Sequence, residues 1–304
     1  MPLIVTGSIG IDTIHAPTGT AERVLGGSAA YFAAAASFHA PVRLVAAAGG
    51  DWPDAHRQVL EGLSNVALDG LEIRSASQTF AWGGRYFDNM NQRETLFTEL
   101  GVLDEEGPAI PATFRDSEFV FLANTHPVEQ TRLLGEFPNR RLAVADTMDL
   151  WINIAHTELL GLLEQVDGVV LNDEEAEQLT EESNAVTAGR RILEMGPTFA
   201  IIKKGEHGCI LVHRDGLATL PAFPAESHQV VDPTGAGDSF AGGMMGHLAA
   251  TGVSDFESIQ SALAWGTITA SFAIESFSLD RLTRLTRQEI DERMTSFRVA
   301  ARVG

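Results

Sequence analysis

Asp232-Pro-Thr-Gly-Ala-Gly-Asp-Ser-Phe240, running on into Ala241-Gly-Gly243, decides how the rest of this 304-residue chain is read. Gly235, Ala236 and Gly237 make a turn slim enough for an anion to approach the main chain, and the residues behind it predict a helix over 236–250. The start of such a helix aims amide N–H groups and the positive end of the helix dipole at whatever the turn holds. Asp238 stands directly behind the glycines, where a carboxylate can take a proton from an attacking hydroxyl. A phosphate cradle and a base in one short stretch point to phosphoryl transfer onto a small hydroxylated molecule. The stretch is not a dinucleotide fingerprint, because Phe240 occupies the position of that motif's third glycine. No Gly-Lys-Ser/Thr sequence supplies a Walker-type loop either.

Around this stretch, apolar runs alternate with helical patterns, as in an α/β protein with a mostly parallel sheet. Strands are predicted at residues 3–5, 42–47, 119–123, 142–145, 168–171, 200–203 and 209–212, with helices between them. Two regions break the rhythm. Residues 11–24 carry turn residues and short apolar segments. The runs 80–87 and 93–100 alternate like exposed strands about an Asp88-Asn-Met-Asn91 turn. They read equally well as a small β-flap over one end of the main sheet or as ordinary peripheral hairpins.

Composition narrows the function classes. A hydrophobic content of 44% is enough for a full α/β core. The net charge of −20 argues against a broad basic surface for nucleic acid. No apolar run approaches the ~20 residues that span a bilayer, and the N-terminus reads as a first strand, not a signal peptide. The single cysteine, Cys209, excludes an internal disulfide and fits a reducing cytoplasm. Lys203 and Lys204 are the only two lysines. Any handling of phosphate must therefore draw on a few side chains, backbone dipoles and metal ions.

Four further elements have chemistry of their own. Gly26-Gly27-Ser28 stands at a strand-to-helix junction, where paired glycines either admit a ligand to the main chain or simply let the helix begin. Asp12 follows the first strand, and its carboxylate can accept hydrogen bonds from two neighbouring hydroxyls of a diol. Asn172 and Glu175 lie three apart at a helix start, either as oxygen ligands suited to Mg²⁺ or as complements to the helix dipole. Ile201-Ile-Lys-Lys-Gly-Glu-His-Gly208 holds both lysines between two strands.

These elements, with the Asp232–Phe240 string, strongly resemble the ribokinase-like family of carbohydrate and nucleoside kinases, the phosphofructokinase-B family, over nearly the whole chain and in the family's order. The resemblance implies a doubly wound, mostly parallel sheet flanked by helices, one kinase domain over residues 1–304, and a β-sheet lid from about 11–25 and 72–100. It implies that ATP gives its γ-phosphoryl group to a hydroxyl of a sugar, nucleoside or cyclitol. Asp238 would be the base and the amides of Gly235, Ala236 and Gly237 the anion hole. Asp12, Gly26, Gly27 and Ser28 would bind the acceptor, with Asn124 and Arg85 as further candidates and Arg93 a second basic residue on the flap. Asn172, Lys203, Gly205 and Gly208 would meet the nucleotide. Glu175 and Asn172 would hold Mg²⁺, directly or through water, and Asp232 a monovalent cation such as K⁺. The resemblance further implies a cytoplasmic homodimer joined through the lid, with no nucleic-acid or membrane partner. Ribokinase-type members carry a lysine and an asparagine after the glycine pair, where this chain has Ser28 and Ala30, which points away from ribose. A metabolite-binding relative without activity, or a kinase using ADP as donor, would share the same motifs.

Overall fold

Strand β1 (Leu3–Thr6) sends successive side chains to opposite faces, as a strand must: Leu3 and Val5 enter one core cluster and Ile4 the other. All four of its residues are buried, the mark of a central strand covered on both faces. The computed structural model describes residues 1–301. Twelve further strands follow in this range: β2 (Gly10–Ala16), β3 (Gly19–Gly26), β4 (Val42–Gly49), β5 (Val66–Arg74), β6 (Phe80–Tyr86), β7 (Arg93–Glu99), β8 (Phe119–Leu122), β9 (Leu142–Asp146), β10 (Gly168–Asn172), β11 (Phe199–Lys203), β12 (Cys209–His213) and β13 (Gly216–Leu220).

Nine of them form the main sheet in the order β13-β12-β11-β10-β9-β8-β1-β4-β5, parallel from β5 to β11 and antiparallel at β12 and β13. Helices cover both faces. Ser28–Ala36, Ala236–Thr251, Phe256–Ala273 and Arg287–Ala300 pack on one; Pro127–Leu134, His156–Leu163, Asp173–Thr180 and Ala185–Glu194 pack on the other. This is the doubly wound architecture expected from the sequence. All seven predicted strands are present. The two the pattern did not reveal, β5 and β13, are the sheet's edges, half exposed and therefore mixed in polarity.

The flap is a separate four-stranded sheet, β3-β2-β6-β7. Its β6/β7 hairpin turns where the alternating runs place it, and the Asn89 side chain accepts the amides of Asn91 and Gln92 to close the turn. The chain enters the lid first at β2 and β3, and leaves the main sheet for it a second time only after Arg74. No helix among the described residues is long and apolar enough to cross a membrane.

Two small-residue helices set up the site. Ser28–Ala36 is buried along its whole length. It lies so close to Ala236–Thr251 that a Cβ on Gly242 would come within 2.4 Å of the Phe32 carbonyl. Alanines and glycines permit that approach, and it brings the starts of both helices together beyond the carboxyl end of β1. Ligands of open α/β sheets bind in such a crevice.

Candidate active site

The Asp232–Asp238 turn is tied down from two sides. The amides of Val231 and Asp232 both donate to the Ile274 carbonyl (2.7 and 3.2 Å), and Thr234 N–H donates to Asp232 Oδ1 at 2.8 Å. Gly235 then enters the left-handed region at φ +74°, and a Cβ there would lie 2.3 Å from the Tyr31 ring. The helix it starts has no side-chain cap, so its first amides remain open to an anion. Ala236 is the exception among the three anion-hole residues: its N–H closes a turn on the Pro233 carbonyl at 3.1 Å. The amides of Gly235 and Gly237 are left for a ligand.

A charged centre gathers beside Gly237. The Lys203 ammonium, at the end of β11, sits 2.8 Å from where a Gly237 Cβ would be. Asp146 at the end of β9, Glu175 in the first turn after β10, and Asp238 all act on it. Burial works against the Lys203 charge, but the three carboxylates outweigh it and raise its pKa. Burial drives the Asp238 carboxyl up to about 7; Asp146 adds to this, while Lys203 and Arg93 oppose it. Glu175 is likewise pushed by burial to about 7, and Asp146 is raised for the same reason. Three carboxylates, Asp146 and Glu175 buried and Asp238 half-buried, thus share one lysine, and the surplus negative charge suits a cation.

The expected metal pair has a second task. Asn172 Oδ1 accepts the Glu175 amide at 2.7 Å, and Glu175 Oε2 accepts the Asn172 amide at 2.8 Å, a reciprocal capping box. One Glu175 oxygen is left over. Among the described residues no group of three or more His, Cys, Asp or Glu side chains converges as a metal site. That fits Mg²⁺, which keeps most of its water and takes one or two carboxylates together with substrate phosphates.

The residues expected to bind the acceptor lie across the turn. Asp12 is buried, with its carboxylate pressed into the space a Gly26 side chain would fill: a Cβ there would fall 2.0 Å from Oδ2. Burial, then Asp232 and Asp238, lift its carboxyl to about 8. Gly27, at φ +97°, has no room for a side chain beside the Ser8 carbonyl. Ser28 turns inward to Ser8, with Oγ to Oγ at 3.0 Å and the Ser28 amide donating to Ser8 Oγ at 3.0 Å. It pins the segment after β1 to the start of the helix. Asp232 is fully buried with Oδ2 unpartnered, and burial raises its carboxyl to about 6 against the Thr234 and Ser278 bonds.

Two other candidates lie apart from the centre. Asn124 is held by Trp151 Nε1 (2.8 Å) and donates to Met148 Sδ at 2.9 Å. Arg85 is exposed, pairs with Glu94 at 3.5 Å and lines a surface cavity of ≈ 600 Å³ with His15, Phe87 and Asp88. Gly205 opens the short turn Gly205–His207 and Gly208 follows it, with Lys204 paired to Asp173 at 3.1 Å. The lid rests on these loops. Thr18 donates to the Val231 carbonyl (2.7 Å), Thr234 Oγ1 to Tyr86 (3.1 Å), and Asn91 Nδ2 to Glu206 (2.7 Å).

A profile of the pfkB family carbohydrate kinases matches residues 143–283, which contain Asp146, Glu175, Lys203 and Asp238. The cytidine kinase of Thermococcus kodakarensis is 30% identical over 251 residues, covering 81% of this chain and 87% of that one. The chain belongs to the pfkB family of carbohydrate kinases. Its fold is that of the Methanocaldococcus jannaschii nucleoside kinase, with a TM-score of 0.77 at 21% identity over 97% of this chain and 98% of the other. The aminoimidazole riboside kinase of Salmonella enterica, solved with aminoimidazole riboside and an ATP analogue, also superposes with a TM-score of 0.77, at 16% identity over 97% and 100% of the two chains. As a pfkB-family member the protein is a phosphotransferase with an alcohol group as acceptor.

In this pfkB kinase the motifs alone under-read three residues. Asp146 belongs to none of the motifs and only ends a core strand, yet it acts on Lys203 and Asp238 in the charged centre. Tyr31 supports Gly235, and its buried hydroxyl has no partner among the described residues. Burial and the nearby Asp232 and Asp12 hold that hydroxyl well above its ordinary pKa. Tyr86 joins the lid to Thr234. Tyr31 and Tyr86 are the chain's only two tyrosines, and both meet the Thr234–Gly235 turn. That scarcity was the one signal available.

Proposed function

We propose that this protein is an ATP-dependent kinase that phosphorylates a hydroxyl of a small nucleoside, with sugars and cyclitols as the wider acceptor class. The observation that carries the reading is the buried centre in which Asp238, Lys203 and the Gly237 amide adjoin one another. The nucleoside preference draws on the cytidine kinase that matches most of the chain.

Asp238, at about 7, is poised to accept a proton near neutral pH. Asp12, at about 8, can both donate to and accept from the hydroxyls beside the reacting one. It would hold a diol while Asp238 takes the proton. Lys203 and the amides of Gly235 and Gly237 face the charge that develops on the phosphoryl oxygens. Glu175, through its free oxygen, and Asp146 supply negative charge for Mg²⁺, which when bound would neutralise the phosphates. The unpartnered Asp232 Oδ2 suits a monovalent cation such as K⁺. The lid, resting on both loops, would exclude water and suppress hydrolysis.

The test is release of ADP from ATP, or of AMP from ADP, against a panel of nucleosides, sugars and cyclitols, with Mg²⁺ present or chelated. Turnover should be highest for a nucleoside with ATP and should vanish without Mg²⁺. Transfer to sugars but to no nucleoside would overturn the acceptor assignment, and transfer from ADP alone would overturn the donor.

A further inference from the structure

We propose that Arg93, the first residue of β7, is a catalytic residue carried by the lid, its guanidinium contacting the phosphoryl group in transfer from the side opposite Lys203. The proposal rests on the kinase reading above. Two contacts place Arg93. Across the hairpin it pairs with Tyr86, whose hydroxyl is bonded to Thr234 at 3.1 Å in the turn that carries Gly235 and Asp238. Two residues before it, Asn91 is bonded at 2.7 Å to Glu206, in the turn that follows Lys203. Arg93 therefore stands over the gap between the two loops that frame the centre.

Its direction is set by the same strands. The guanidinium carbon lies 5.4 Å from the Trp82 ring centroid, and Trp82 and Tyr86 share the buried face of β6. Directly opposite residues of an antiparallel pair project to the same side, so Arg93 shares the face of Tyr86. No carboxylate lies within ion-pairing distance of Arg93 among the described residues, whereas Arg85 on the neighbouring strand is matched by Glu94. In a chain with 41 acidic residues against 21 basic ones, an exposed guanidinium that has no carboxylate partner and lies beside the Tyr86 hydroxyl is available to a ligand. Its charge is felt at Asp238 and Glu175, where it opposes the effect of burial.

A phosphoryl group in transfer carries charge on three oxygens, and a planar guanidinium can bind two of them at once. The same fork could instead hold a phosphate already carried by the acceptor. The transferred group is favoured, because the contacts that place the hairpin are made to the two loops beside Asp238 and Lys203, through Tyr86 to Thr234 and Asn91 to Glu206.

Steady-state kinetics of Arg93→Ala and Arg93→Lys test this, with Asp238→Asn alongside. Arg93→Ala should lower kcat roughly 10²- to 10³-fold, below the largest effects of arginine fingers, with acceptor KM little changed. Added guanidinium should restore part of the loss, and Arg93→Lys should retain an intermediate rate. The acid limb of the kcat/KM profile should move to higher pH, because Asp238 loses a cation that holds its pKa down; a purely structural role would leave that limb in place. A kcat within about threefold of the parent would overturn the proposal, as would an effect confined to KM for phosphorylated acceptors. So would a loss that guanidinium does not rescue and that leaves the pH profile unmoved. Failure of the kinase reading is recognised separately, by full turnover in Asp238→Asn.

Discussion

Two clusters of partly buried charge face different fates in this molecule. Beside the C-terminal helix, Glu275 takes Arg281 Nε at 2.8 Å and Arg293 Nη2 at 2.6 Å, and Arg281 reaches Glu289 at 2.8 Å. Both guanidiniums also lie over the Phe272 ring. Two arginines meet two glutamates, and Glu289 is held down to about 2 by its Thr286 bonds and by Arg281. In the transfer centre, three carboxylates meet one lysine, and every one of them is pushed upward. The first cluster satisfies its own charges and holds helices together. The second is left with surplus charge and open amides that only a ligand can complete, which is how a fold spends stability on function.

Removing one charge from each cluster should separate these roles. Asp238→Asn should cut kcat by about 10³-fold, within the range for loss of a general base and equivalent to about 4 kcal/mol of barrier. The melting temperature of the free protein should hold or rise, because a costly buried carboxylate has become neutral. Turnover within tenfold of the parent would remove Asp238 as the base and with it the contrast.

Glu275→Gln should do the reverse. Two guanidiniums would lose their shared partner, at a cost of about 2 kcal/mol. That is below the 3–5 kcal/mol of fully buried pairs because these side chains stay roughly one-fifth exposed. A urea midpoint measures the loss, and kcat should change far less than in Asp238→Asn. A stability change under about 0.5 kcal/mol, ordinary for a surface substitution, would mean that this cluster is not structural either.

Only one side of this contrast, the turn at Asp238, is legible in the sequence, and the reason lies in what motifs encode. The parallel core strands announce themselves because both faces are buried and the runs are continuously apolar, as at Leu3–Thr6 and Phe119–Leu122. The edge strand Val66–Arg74 does not, because solvent on one side dilutes its pattern. Asp238 and its glycines are readable because chemistry and backbone share one short segment. Asp146, Tyr31 and Arg93 come near Asp238 only through strand order, helix approach and hairpin pairing, across 92, 207 and 145 residues of sequence. Ser28 follows the glycine pair where a ligand contact is expected, and its hydroxyl also bonds Ser8, a second role that the motif does not reveal.

The smallest expected effect is also the one that distinguishes the clusters without a substrate. Asp12 at about 8, and Asp238 and Glu175 at about 7, all titrate above their ordinary carboxyl range in the fold. Between those ranges the folded protein holds more protons than the unfolded chain, so stability must fall as pH rises. Glu289 is depressed, so its contribution is complete at neutral pH and is lost only as pH drops through its ordinary 4.5 toward about 2. Histidines kept neutral by burial, such as His39 at about 3, pull the other way, but only below their ordinary 6.5. The clean window is therefore pH 7 to 8.5. There the free protein should lose about 1 kcal/mol, the worth of less than one net proton per pH unit. Chemical denaturation across that window should show the decline, and it should be shallower in Asp238→Asn, where one titrating carboxyl is gone, while Glu275→Gln keeps the parent's slope. A stability that is flat or rising over this range would mean that the centre's carboxylates are not held above their ordinary range, and that the two clusters differ in geometry but not in charge.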